Sequence, residues 1–155
     1  MRGFTLLEVI IAVSILGSGI IAATSLMSRT IGLGSVVRDQ LIAANLAQEG
    51  MEVIHNIRHT NWIKNTAWDV GFLEGDSCVN FDSTALINPC LGDSRRLFLF
   101  NNRYVHNVSG TSTIFLRNVN ITSGLDGAAP FKIIRSVVSW GNSSLSVEER
   151  LYNWK

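Results

Sequence analysis

The sequence predicts an α+β protein in which one long N-terminal helix packs on a small antiparallel β-sheet. Three observations carry that expectation. An apolar run from Phe4 to Met27 holds a single charge, Glu8. Apolar residues then recur at steps of three and four as far as Ile57, which is one face of a helix. From Arg96 onward, short segments alternate apolar and polar residues between glycine and asparagine turns.

The helix comes first. Phe4 to Met27 makes roughly 36 Å of helix at about 1.5 Å per residue, enough for a hydrocarbon core of about 30 Å. Beyond Arg29, one face carries Leu33, Val37, Leu41, Ala44, Ala47, Met51, Ile54 and Ile57. The other carries Arg38, Asn45, Gln48, Glu49, Glu52, Asn56 and His59. One helix from about Phe4 to about His59, about 80 Å long, accounts for both halves. The first half is apolar all round and suits a bilayer or a helix bundle; the second is amphipathic and suits a sheet. Glycines 17, 19, 32 and 34 interrupt it, each costing about 1 kcal/mol relative to alanine if exposed.

After Asn61 the pattern changes. Residues 65–92 mix glycine, aspartate, asparagine and proline with scattered aromatics, and read as a long connection. Arg96–Phe100, Asn101-Asn102 and Arg103–Asn107 read as a hairpin. Thr113–Thr122 alternates Ile114 and Leu116 against Phe115 and Arg117, as a strand does. Phe131–Trp140, a turn over Gly141–Ser144, and Leu145–Trp154 form a second hairpin.

Glu8 is the costly residue. A carboxylate in a membrane segment is unfavourable by about 2.5–3.5 kcal/mol at mid-bilayer on insertion scales. It therefore calls for a cationic partner, or else lies near the headgroups and reaches water. An ordinary secretory signal fits poorly, because the basic region is Arg2 alone and nothing after the apolar run reads as a convincing small-x-small cleavage site. Arg2 also sets the expected orientation, N-terminus inside.

The run Gly3-Phe4-Thr5-Leu6-Leu7-Glu8 and the apolar helix behind it resemble the class III signal of type IV pilins and type II secretion pseudopilins. That resemblance implies cleavage between Gly3 and Phe4 by a prepilin peptidase, and methylation of the new Phe4 amino terminus. Glu8 then becomes the fifth residue of the mature chain. The Phe4 ammonium of a neighbouring subunit would neutralise it and so set the axial register between helices. The implied organisation is a leader over 1–3, a transmembrane and assembly helix over 4–28, and a periplasmic or extracellular pilin-like domain over 29–155.

Other implied features follow from the same family. Asn45–Glu52, with Asn56-Ile57-Arg58 and Asn61-Trp62 behind it, resembles the helix end of many minor pilins, as does the ending Leu151-Tyr152-Asn153-Trp154. Gly17-Ser18-Gly19 lies where pilin helices unwind in filaments, although Ser25 stands where many relatives carry proline. Close helix–helix contact through small residues is the equal alternative there. The implied partners are other pilin subunits, the prepilin peptidase, the inner-membrane assembly machinery and the membrane itself. The expected location is the inner membrane first, then a filament, the cell surface or the periplasm.

In such a compartment Cys78 and Cys90 read as one disulfide, which would contribute about 3 kcal/mol in the chain-entropy model. They fall short of the ligands a metal site needs. Glu52, His55 and His59 share a helix face, yet the zinc-protease arrangement is missing. No nucleophile elbow and no phosphate loop occur in the sequence. The expectation is a structural protein with no enzymatic activity and no cofactor.

Net charge is +1, and without Arg2 the formal charges balance, which gives no strong footprint for nucleic acid. Asn107, Asn120 and Asn142 each open a glycosylation-type triplet, a pattern frequent by chance. A tip subunit that binds DNA or a host surface through residues 65–92 is the alternative from another class. Its support is a mild basic excess from Cys78 onward and the aromatic residues of the loop.

Overall fold

The computed structural model describes residues 5–106, 109–127 and 129–153. Gly3, Phe4 and Trp154 lie outside the described residues. The chain divides into two compact units, one up to Asp39 and one from Gln40 onward.

Helix α1 (Leu6–Ile63) runs through Gly17, Gly19, Gly32 and Gly34 without a break and ends a turn beyond His59. A Cβ at any of those four glycines would meet nothing within 4 Å, so no packing inside this chain requires glycine there.

In the unit from Gln40 onward, the helix buries Ala43, Leu46, Ala47, Gly50, Met51, Val53, Ile54 and Ile57. From Ala47 on this is the face that the apolar spacing marks. At its start the stripe shifts: Ala43 and Leu46 are buried, and Leu41 is exposed. Small residues explain the shift, because Ala43, Ala47 and Gly50 let the helix axis approach the sheet. A Cβ on Gly50 would lie 2.6 Å from Ser136 Oγ.

The strands are β1 (Gly75–Ser77), β2 (Arg96–Phe100), β3 (Arg103–Val105), β4 (Thr111–Asp126), β5 (Ala129–Trp140) and β6 (Ser143–Tyr152). Among the described residues they form one antiparallel sheet of order β3-β2-β4-β5-β6. Strand β1 pairs with β4 from Val119 to Ile121, and β2 pairs with β4 between Thr111 and Leu116. The β2–β3 turn holds Asn101 and Asn102 at φ 49° and 60°, a conformation asparagine tolerates.

The helix-facing side of β4 carries Phe115, Arg117, Val119 and Ile121, opposite Trp140, Val138, Ser136 and Ile134 of β5. Against it lie two apolar clusters. Ala43, Leu46 and Ala47 pack with Leu97, Phe115 and Val138. Met51, Ile54 and Ile57 pack with Val119, Ile121, Ile134 and Leu151, and Trp68, Phe72 and Val79 close that cluster from the connecting segment. This is the α+β, pilin-like arrangement expected from the sequence.

Two expectations are refined. The segment 65–92 is not all loop: β1 lies within it, positioned by Asn118 and Asn120 of β4, whose side-chain amides donate to Asp76 Oδ1 at 2.8 and 2.9 Å. Strand β4 is also longer than Thr113–Thr122 and turns directly into β5 at Gly127 (φ 60°).

Candidate functional site

The helix start is built by the motif itself. Glu8 N–H donates to Thr5 Oγ1 at 3.3 Å and to the Thr5 carbonyl at 3.0 Å. Thr5 thus caps a helix whose first four N–H groups lack intrahelical partners. Thr5-Leu6-Leu7-Glu8 has the Thr-x-x-Glu spacing of a capping box, a signal legible in the sequence and passed over there. Glu8 stands in the first turn, where a carboxylate interacts favourably with the helix dipole. One residue therefore serves the helix start and remains exposed to a neighbour.

The helix behind Glu8 is long and apolar enough to cross a membrane. None of its most apolar 18-residue window is buried within the chain. Ser14, Ser18, Thr24, Ser28 and Thr30 each donate a hydroxyl proton to a carbonyl one turn back, at 2.8 to 3.1 Å. Their polar groups are thereby satisfied without water, the condition that hydrocarbon imposes.

The remaining polar clusters hold the domain together. Arg117 is fully buried; its guanidinium donates to the Leu46 carbonyl (3.1 Å), Glu49 Oε1 (2.8 Å) and the Val79 carbonyl (2.6 Å). Burial lowers its pKa and the adjacent Glu49 opposes that shift, so the cation is held by its partners. Sequence alternation already placed Arg117 on the same face as Phe115; that this face is the core was not drawn from it.

His55 does not have a ring nitrogen to spare for a metal. Nε2 lies 2.9 Å from Glu149 Oε2 and Nδ1 lies 3.3 Å from Arg58 Nη2. His59 stacks on Trp62 at 5.6 Å. Among the described residues no group of three His, Cys, Asp or Glu side chains is placed to hold an ion.

Cys78 and Cys90 are joined as a disulfide with Cα atoms 5.0 Å apart, both buried. The bond closes the segment that carries Val79, the Arg117 partner. Asn61, in the last turn of α1, ties the following segment down by donating to the Trp68 and Val70 carbonyls at 3.2 and 2.9 Å. Of the asparagines in glycosylation-type triplets, Asn120 is engaged with Asp76, whereas Asn142 sits exposed in the β5–β6 turn.

Residues 1–24 match the family model described as the prokaryotic N-terminal methylation motif. The chain carries the class III signal of type IV pilin precursors, on a long apolar helix that fits a pilin. No curated protein and no solved structure matches the chain.

Proposed function

We propose that this protein is a non-enzymatic filament subunit, a prepilin cleaved between Gly3 and Phe4, methylated on Phe4 and polymerised through its N-terminal helix. The methylation motif over residues 1–24 is the observation that carries the reading. Two features support the polymerisation step. The apolar helix surface is wholly unburied in the single chain, and exposed Ile31, Leu33, Val36, Val37 and Leu41 extend it past Arg29. An apolar surface of that extent needs lipid or other helices to cover it. Glu8 supplies the single acidic group in the first turn, available to a neighbour's Phe4 ammonium. The Cys78–Cys90 disulfide agrees with a domain that matures outside the cytoplasm.

A type II secretion pseudopilin shares all of these features and differs in the machine that assembles it. A ligand-binding tip subunit that recognises DNA or a host surface through residues 65–92 is the further reading, supported by the mild basic excess from Cys78 onward and the aromatic residues of that loop.

Mass spectrometry of the N-terminal peptide, from membranes and from sheared surface material, tests the proposal. A methylated Phe4 terminus in the sheared fraction is expected. A chain that still begins at Met1 and stays in the membrane would leave a plain signal-anchor. Glu8→Leu should insert in the membrane yet enter filaments poorly, and normal incorporation of that variant would remove its register role. Gly3→Ala should be processed better than Gly3→Val, and equal processing would argue against a narrow peptidase pocket at that position.

A further inference from the structure

Strand β4 ends in an apolar–acidic pair, Leu125 and Asp126. Leu125 is 74% exposed, on the rim of a cleft it shares with Pro130 and Phe131. Asp126, opposite Ala129 at the end of the ladder, is exposed and has no ion pair among the described residues. A single exposed leucine is ordinary. What gives this one meaning lies at the other end of the same strand.

There, beside the β2–β3 turn, a cleft of about 450 Å³ opens between Phe81 and Phe100, which are 39% and 42% exposed. Arg103 lies over the Phe81 ring at 4.4 Å from its centroid and has no carboxylate partner among the described residues. A guanidinium stacked in this way is pre-ordered and favours a carboxylate. Asp82 also lines the cleft, so its field is mixed and the stacked cation must select the ligand at short range.

We propose that the β4–β5 hairpin tip of one copy of this chain docks into the Phe81–Phe100–Arg103 cleft of a second copy. Successive strand residues point to opposite faces, so a tip entering end-on offers Leu125 to an aromatic wall and Asp126 to Arg103. The two surfaces differ and lie at opposite ends of β4, about 46 Å apart for Thr111 to Leu125 at about 3.3 Å per residue. Contact between unlike patches is head-to-tail, and it extends into an open array unless the rotation closes a ring. The inference rests on this geometry and not on the filament reading, although it supplies that reading with a second contact outside the helices.

The test uses the full-length protein in its own membranes, with a benzoyl-phenylalanine photo-crosslinker in place of Leu125. Irradiation should give a ladder of covalent multimers of this chain, with the adduct mapped to residues 80–82 or 100–105. An adduct on a different protein, an adduct elsewhere on this one, or no adduct overturns the proposal.

Asp126→Arg and Arg103→Asp should each lower the ladder yield about fivefold, as expected for a partly exposed pair, and the double swap should restore it. A cooperative urea-unfolding transition in each variant shows that the domain has folded. Correctly folded variants without restoration also overturn it. Asp82→Asn should raise the yield, and a fall would count against Arg103 as the anchor. A ladder in membranes together with an unprocessed Met1 terminus would sink the filament reading and leave this contact standing. Methylated Phe4 in sheared filaments without the ladder would do the reverse.

Discussion

Replacing Arg117 with alanine removes a cation that joins the helix, the central strand and the disulfide-closed segment. The side chain is 0% exposed and donates from β4 to three acceptors on two other segments, Leu46 and Glu49 of the helix and Val79 of the disulfide-closed segment. Breaking a buried pair by deleting one member costs about 3–5 kcal/mol. Glu49 is 35% exposed and regains water when freed, which places Arg117→Ala near the lower end, about 3 kcal/mol.

Arg117→Met should cost less, about 1–2 kcal/mol, because it fills the space and removes the desolvation of the guanidinium. Glu49→Ala leaves the guanidinium buried with carbonyls alone and should cost about 2 kcal/mol. Urea unfolding of the full chain in detergent, followed by tryptophan fluorescence, reads all of these. The double variant Arg117→Ala/Glu49→Ala should fall short of the sum by about 1–2 kcal/mol, as directly coupled residues do. An Arg117→Ala variant within about 1 kcal/mol of the parent, or fully additive single variants, would refute the clamp.

Three further outcomes are expected. Gly50→Ala should lose about 1–3 kcal/mol by overpacking against Ser136 Oγ, and Ser136→Ala, which removes an oxygen with no partner, should recover part of it in the same unfolding assay. His106 is held neutral, its pKa lowered from 6.5 to about 4 by burial, with the Arg117 charge adding to the shift. The unfolded chain takes up the proton first, so stability is full above about pH 6.5 and declines toward pH 4; His106→Gln should flatten that limb of the pH–stability curve. Asn61→Leu strips the Trp68 and Val70 carbonyls of their donor, and should cost about 1–3 kcal/mol and hasten proteolysis within residues 64–74.

Much of the architecture was legible because it rests on periodicity. The three- and four-residue spacing of Ala47, Met51, Ile54 and Ile57 marks the buried helix face whatever the sheet order. Alternation around Phe115 and Ile134 likewise marks strands. What stayed hidden depends on partners far apart in the chain. Gly75-Asp76-Ser77 has no apolar alternation, and it is a strand because β4 supplies its ladder and two asparagine amides hold Asp76. Arg58, Asn61 and Arg117 look like surface residues in sequence, and each is buried with hydrogen-bonding or ring partners. The N-terminal signal was legible for the opposite reason. It is linear, and its Thr5 cap and Glu8 lie three residues apart in one turn of helix.

The Arg117 contacts also impose an order on biosynthesis. Leu46 and Glu49 leave the ribosome 71 and 68 residues before the arginine that holds them. Val138 and Leu151, which cover the same helix face, come later still. Until those residues follow, Leu46, Ile54 and Ile57 therefore have no sheet to lie on. The nascent chain passes through a stage in which the finished helix presents a bare apolar stripe. Truncation anywhere before β5 makes that stage permanent, which marks the incomplete chain for holding chaperones and proteases.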